Sequence, residues 1–260
     1  MSTIDRRTCL TVLAACPAAL VAGTAWAGPV EVIARSKPSV VAVGRYVPTD
    51  NPRFTFRGTG FAVDDGTLVV TNAHVLPDIP AEAVGAYVAV LVRKGAGEAP
   101  EVRRASVLQV VRGHDLALLK LEGAPLPPLT LAPTAAIAEG QSIVLMGFPL
   151  GGALGFTPVS HRGMISSITP IAAPVASARQ LNEAAISRLR QGSFDIYQLD
   201  ATAYPGNSGG PVLDADSGQV VGVVNSVFVK GSKETALTDP SGISYALPVR
   251  LVAELLRQGR

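Results

Sequence analysis

Cysteine is almost absent. The two present, Cys9 and Cys16, both fall in an N-terminal stretch that reads as a leader. A mature chain without them has neither thiol nor disulfide, which excludes a cysteine nucleophile and a Cys-ligated zinc site. An exported protein of this length can do without disulfides because its core is large enough. Charge is also scarce: charged residues are 16% of the chain, and 22 Lys+Arg against 20 Asp+Glu leave a net charge of +2. With no dense basic run, that balance gives no footprint for nucleic acid. Histidine is limited to His74, His114 and His161. What the chain has in quantity is apolar material, 48% of residues, with 26 Gly and 20 Pro. Short Val-rich runs cut by such punctuation point to a β-rich chain with many turns rather than a disordered one.

The first 27 residues read as a signal peptide. Arg6 and Arg7 give a positive start, an apolar stretch follows from Cys9 to Ala22, and Ala25-Trp26-Ala27 offers the small-x-small pattern for cleavage before Gly28. Arg6-Arg7 with Leu10 also resembles a twin-arginine signal, although Asp5 and Thr11 depart from it. Either route implies a periplasmic or secreted protein with its mature domain over 28–260. Two alternatives stay open. One is an uncleaved anchor, for which the apolar run is short of the roughly 20 residues a span needs. The other is a lipoprotein box at Leu13-Ala14-Ala15-Cys16, before which little apolar stretch remains.

Strand-like runs then follow one another. Val40–Val43, Gly60–Val63, Thr67–Thr71 after an Asp64-Asp65-Gly66 turn, Tyr87–Val92, Ala105–Val111 and Leu116–Leu121 form a first group. Gly123-Ala124-Pro125-Leu126-Pro127-Pro128 cannot be strand interior and reads as the start of a crossover. A second group comprises Ser142–Met146, Gly163–Ile168, Tyr197–Leu199, Pro211–Leu213, Val220–Val224 and Ile243–Ala246. Helical spacing appears over Ala178–Arg190 and again over Val249–Arg257. Two groups of short strands fit an all-β fold of two antiparallel barrels, with no internal sequence repeat.

The sharpest chemical feature is Pro205-Gly206-Asn207-Ser208-Gly209-Gly210-Pro211. Gly206 can take a conformation that turns its N–H toward the same point as the N–H of Ser208, and two such donors can hold an oxyanion. Such a string is also found in ordinary turns. A serine nucleophile needs a base, and His74 follows an apolar strand in Thr71-Asn72-Ala73-His74-Val75, where it can face a cleft. His161 lies in what reads as a solvated polar turn, and His114 reads as a surface residue. A base needs an orienting acid, and Asp115 opens the buried run Asp115–Lys120. The order His74, Asp115, Ser208 places two members in the first group of strands and one in the second.

These strings resemble the trypsin-like serine proteases, specifically the HtrA (DegP-like) branch. Gly58-Thr59-Gly60-Phe61 is similar to that family's opening strand. Gly147-Phe148-Pro149-Leu150-Gly151 is similar to its entry into the second barrel, and Gly242–Pro248 with a terminal helix to its closing segment. The resemblance implies two six-stranded barrels, about 36–123 and 136–248, with a C-terminal helix over 249–257. It implies a serine endopeptidase acting on polypeptides without metal or organic cofactor. Its triad would be His74, Asp115 and Ser208, and its oxyanion hole the N–H groups of Gly206 and Ser208, with Asn207 assisting. The pocket for the residue before the scissile bond would be lined by Thr202, Ala203, Val224, Asn225 and Ser226. No acid or histidine stands among these, so the resemblance implies small or medium apolar residues there. Trimers in this branch are built on N-terminal aromatics, a part that Tyr46, Phe54 and Phe56 could take here or else give up to core packing. Members of this branch usually carry PDZ domains after the protease domain, and none is expected here, which puts peptide-activated regulation in doubt. A non-cleaving binding protein and an ester-cleaving acyl hydrolase are the rival readings.

Overall fold

Twelve strands among the described residues close into two six-stranded antiparallel barrels. The computed structural model describes residues 28–80, 82–93, 95, 98–149, 151, 155–170, 194–225 and 243–259. The expected signal peptide and the helical pattern at 178–190 lie outside them. The first barrel is built from β1 (Val40–Tyr46), β2 (Phe54–Val63), β3 (Leu68–Asn72), β4 (Tyr87–Val92), β5 (Glu101–Val111) and β6 (Leu116–Leu121), in the order β1-β2-β3-β6-β5-β4. The second is built from β7 (Ser142–Gly147), β8 (Val159–Pro170), β9 (Asp195–Asp200), β10 (Pro211–Asp214), β11 (Val220–Val224) and β12 (Ile243–Pro248). Read from β7, its order is β7-β8-β9-β12-β11-β10, the same pattern repeated. The expected all-β class and two-barrel plan are therefore observed.

Side chains alternate between strand faces, yet many of these strands are apolar at consecutive positions because both faces are buried. In β1, Val41 and Val43 fill the inside of the first barrel, whereas Val40 and Ala42 join a core that continues into the second. In β7, Ile143 and Leu145 point into the second barrel, and Val144 and Met146 into the shared core. Strands buried on both sides read as unbroken hydrophobic runs, which is why the sequence marks them so plainly. Where one face is open the signal weakens. β2 starts at Phe54 rather than Gly60, with Thr55 and Arg57 exposed between half-buried Phe54 and Phe56.

Two helices strap the barrels together. α1 (Pro29–Ser36) begins on a proline, suited to a first helical position, with Glu31 in its first turn and Arg35 in its last, as the helix dipole favours. It buries Val32 in the shared core, and Arg35 donates to the carbonyl of Ser217 in the β10–β11 turn, although α1 leads into the first barrel. Its two turns are too short for a periodic signal, and the sequence did not announce it. α2 (Val249–Gln258) buries Val249, Leu251, Val252, Leu255 and Leu256. It leaves the second barrel, and its end lies over Leu118 and Gln109 of the first. Between the barrels the Gly123–Pro128 crossover is held at both ends: Leu126 N–H donates to Gly66 O, Leu129 N–H to Ala62 O, and Val220 N–H to Thr130 O. Among the described residues no helix is long and apolar enough to cross a membrane.

Asp214 closes the β10–β11 turn. Its Oδ1 accepts from Ser217 N–H and Ser217 Oγ–H, both at 2.7 Å, and Oδ2 accepts from Gln141 Nε2 at 2.7 Å. Burial pushes this carboxyl up, but the Gln141 and Ser217 hydrogen bonds outweigh it and leave it below its ordinary 3.8. Asp214→Ala is expected to cost about 2 kcal/mol of stability at neutral pH, the scale of hydrogen bonds to a charged group. A lowered folded value means that the unfolded chain binds the proton more tightly. The contribution is therefore complete above the ordinary carboxyl value and is lost as pH falls through the folded one. Urea melts of wild type and variant should differ most at neutral pH and converge in acid.

Candidate active site

The site residues stand where the two barrels meet. β3 runs into a single 3₁₀ turn, Ala73–Val75, that carries His74 off the strand end. Asp115 precedes β6, the strand paired with β3, so the hydrogen-bonded ladder brings the two together. Asp115 has φ 52°, a left-handed conformation that aspartate tolerates better than most residues. In it the backbone carbonyl accepts from Ala73 N–H at 3.1 Å and Asn72 Nδ2 at 3.0 Å.

Asp115 is a buried residue, and its carboxylate meets three donors. Oδ1 accepts from His74 N–H at 3.0 Å. Oδ2 pairs with His74 Nδ1 at 2.7 Å and accepts from Asn225 Nδ2 at 2.8 Å. A buried carboxylate is tolerable only when so satisfied. An ionised carboxylate only accepts, so Nδ1 must carry the ring proton and Nε2 is left as the ring's acceptor. The His74 side chain is 34% exposed, against 11% for Asp115, so the ring reaches outward from a buried anchor.

The serine loop comes from the second barrel. Tyr204 to Asn207 form a turn closed by Asn207 N–H to Tyr204 O at 3.0 Å, with Pro205 and Gly206 at its centre. Gly206 has φ +103°, the sign required at the second central position of a type II turn. Ser208 follows, 6% exposed. The loop is stitched to the first barrel by Thr59 N–H to Ser208 O at 2.8 Å, and to β11 by Gly209 N–H to Val224 O at 2.9 Å. Gly209, at φ +85°, lies so near β2 that an added Cβ would stand 2.1 Å from Thr59 O.

The structure thus brings His74, Asp115 and Asn225 into contact and anchors the Gly206–Ser208 loop on Thr59 of the opposite barrel. Of the residues expected in the pocket, Thr202 and Ala203 lie half-buried just before the loop, and Ala203 N–H donates to Ser244 Oγ at 2.9 Å. Thr202 also borders an open groove of about 500 Å³ with Arg162, Gly163, Asp200 and Ala201. Val224 is fully buried. Asn225 turns its amide to Asp115, a partnership the sequence reading missed; an amide directly after an apolar strand was the only signal. Ser226 lies outside the described residues.

The other histidines differ from their expected settings. His161 sits within β8 rather than in a turn, half-buried, with its ring 5.8 Å from that of Tyr204, and burial holds it below the ordinary histidine value. His114 is half-buried and stands edge-on to Phe194 at 5.1 Å, and burial lowers it likewise. Tyr46 stacks on Tyr87 at 5.0 Å, whereas Phe54 and Phe56 pack with Phe148 and Phe156.

Two like barrels, with a His–Asp pair at the rim of one and a glycine-flanked serine on a loop of the other, define the two-barrel architecture of the trypsin-like peptidases. A family model described as the trypsin-like peptidase domain matches residues 58–223, and the chain belongs to that family. Its curated relatives include the mitochondrial serine protease HTRA2 of Bos taurus, 33% identical over 88% of this chain and 42% of that protein. The human serine protease HTRA4 is 30% identical over 91% of this chain and 44% of its own length. A probable periplasmic serine endoprotease, DegP-like, of Chlamydia muridarum is 30% identical over 83% and 37%. The chain therefore spans less than half the length of these relatives. Among solved structures, the HtrA-type protease AlgW with decapeptide shares the fold at TM-score 0.63 and 22% identity, over 90% of this chain and 67% of that one. The resemblance to the HtrA branch read from the sequence is borne out.

At Gly206 a Cβ would stand 2.3 Å from Phe148 O, in a left-handed backbone that side chains resist. Gly206→Ala is expected to cost at least about 2 kcal/mol, a fall in Tm of roughly 4–8 °C for a domain of this size. An unchanged melting curve by calorimetry would show that this turn is not as constrained as its geometry implies.

Proposed function

We propose that the chain is a serine endopeptidase in which Ser208 is the nucleophile, His74 the general base and Asp115 the acid that orients it. The observation that carries this reading is the 2.7 Å pair between His74 Nδ1 and Asp115 Oδ2. With Nδ1 committed to the carboxylate, Nε2 takes the proton of Ser208 Oγ as the hydroxyl attacks a peptide carbonyl. Asp115 stabilises the imidazolium that forms, and Asn225 Nδ2 donates to the same carboxylate oxygen that pairs with His74 Nδ1. The tetrahedral oxyanion is received by the N–H groups of Gly206 and Ser208, with that of Asn207 already donated to Tyr204. His74 returns its proton to the leaving amine, and water, activated by the same ring, releases the acyl group.

Polypeptides are the proposed substrates, exported or misfolded chains among them. The relatives are named as proteases, and the leader-like residues 1–27 fit export, as the word periplasmic in the DegP-like relatives' name does. Thr202 and Ala203 offer a small, uncharged lining, so the residue before the scissile bond is small or medium and apolar, Val, Ala or Leu; Val224, expected beside them, is instead fully buried in the second barrel. Such pockets discriminate by only about 1–3 kcal/mol per methylene.

The test is fluorophosphonate labelling and casein cleavage by the chain lacking residues 1–27. Ser208→Ala or His74→Ala should lower turnover on the order of 10⁴- to 10⁶-fold and abolish labelling at the serine. Asp115→Asn should cost on the order of 10⁴, because its amide reverses the tautomer of His74. Near-full cleavage by Ser208→Ala would sink the assignment, and strict cleavage after Arg or Glu in a peptide library would overturn the pocket reading.

A further inference from the structure

Thr59 lies on β2 of the first barrel, wholly buried, and all of its polar atoms meet the serine loop or the residues around it. Its N–H donates to Ser208 O at 2.8 Å, and its carbonyl accepts from Thr71 Oγ1 at 2.7 Å. Its hydroxyl lies 2.6 Å from Gly206 O and 3.1 Å from Phe148 N. An N–H can only donate, so Phe148 N–H fills one lone pair of the hydroxyl. The single hydroxyl proton is then committed to Gly206 O.

The carbonyl so held belongs to the peptide plane between Gly206 and Asn207. The other end of that plane, Asn207 N–H, is held by Tyr204 O at 3.0 Å. This plane sits between the two that carry the proposed oxyanion donors, Pro205–Gly206 before it and Asn207–Ser208 after it. Fixing both of its ends fixes the rotation at Gly206 and at Asn207, and hence the angle between the two donor N–H vectors. Glycine has no side chain to restrict that rotation by itself. The Asn207 side chain does not supply the restraint either: although buried, neither polar atom of its amide has a hydrogen-bond partner among the described residues.

We propose that Thr59 is a positioning residue whose hydroxyl, reaching across from the opposite barrel, sets the two backbone donors that receive the oxyanion. This rests on the serine endopeptidase reading above. It assigns to the middle of the Gly58-Thr59-Gly60 string a role in the chemistry of Ser208 rather than in strand packing alone. Removing one oxyanion donor outright costs about 10² to 10³ in kcat, and misplacing a group by about 1 Å can cost 10²-fold. A loosened pair of donors should fall at or below the lower of these.

The experiment compares Thr59→Val, which keeps the shape and removes the hydroxyl, with Thr59→Ser, which keeps the hydroxyl. Both are made in the full mature chain and assayed on a peptide substrate. Thr59→Val should lower kcat about 10- to 100-fold with KM within about twofold, and Thr59→Ser should restore most of it. The affinity of a peptide aldehyde, which forms a tetrahedral adduct on the serine, should fall in parallel with kcat/KM, while that of the product peptide stays constant. If Thr59→Val does not fold, Thr59→Cys, with its weaker S–H donor, takes its place and should give an intermediate kcat. A folded Thr59→Val or Thr59→Cys with wild-type kcat, a loss confined to KM, or a loss that Thr59→Ser does not rescue overturns the role. Ser208→Ala run alongside separates the two readings. Without Ser208-dependent turnover in the wild type both fall; with it, an unaffected Thr59→Val defeats the Thr59 role alone.

Discussion

Burial of both faces of the strands along the seam is the constraint on which the rest depends. Each such strand faces its own barrel on one side and the neighbouring barrel on the other, so neither barrel is completed without its partner. Leu116 and Leu118 of the first barrel, Val144 and Met146 of the second, and Leu251 and Leu255 of α2 belong to one continuous core. The exchange of straps reinforces it. α1 is anchored on the β10–β11 turn before the chain enters the first barrel, and α2 returns from the second barrel to lie over the first. Close-packed interiors deform little. Residues on opposite sides of this seam are therefore held in fixed relation, which is what a site assembled from two halves requires.

Buried polar groups at such a seam are costly unless satisfied, and the Asp115 carboxylate and the serine-loop backbone are satisfied from both barrels, whereas the Asn207 amide has no partner among the described residues. The Asp115 carboxylate is supplied by His74 twice and by Asn225 once, and its carbonyl by Ala73 and Asn72. Asn225 comes from the second barrel and His74 from the first, so the carboxylate itself bridges the two. The Thr59 backbone and hydroxyl do the same for the serine loop. Loss of any one donor leaves a buried charge or carbonyl short of a partner, a penalty larger than the net worth of the bond itself.

The sequence displayed this architecture unevenly, and the reasons are physical. Each of the twelve strands left a run in the sequence, continuous where both faces are buried, as in β1, β3, β6, β7 and β11, and shortened or interrupted in β2, β5 and β8, whose faces are partly open. The like topology of the barrels was not legible as a repeat, since the pattern lies in strand order and hydrogen bonding, which many apolar sequences satisfy. α1 was hidden by its length. His161 was misread because Ser160, His161 and Arg162 look like a turn, whereas in β8 they pair with Met146, Leu145 and Val144. His74, Asp115 and Ser208 stood out because strand ends and glycines frame them. Asn225 read only as pocket lining and Thr59 only as part of an opening strand, because hydrogen bonds between residues far apart in the chain leave no local mark.

Conformational demands set by backbone crossings are the least forgiving part of this design. Along the seam one aliphatic side chain can replace another at modest cost if volume is kept, so a chain can share only 22% of its residues with the HtrA-type protease AlgW and still share its fold. At Gly209 no such exchange exists. Its left-handed backbone passes so near β2 that a Cβ would stand 2.1 Å from Thr59 O, and the same close passage lets Thr59 N–H reach Ser208 O. The glycine that allows the barrels to touch and the hydrogen bond that joins them are thus two sides of one contact. Strand β2 is fixed to the serine loop by geometry that tolerates neither a larger residue at Gly209 nor a shift of the strand. The serine is held by the frame of the molecule rather than by its own loop.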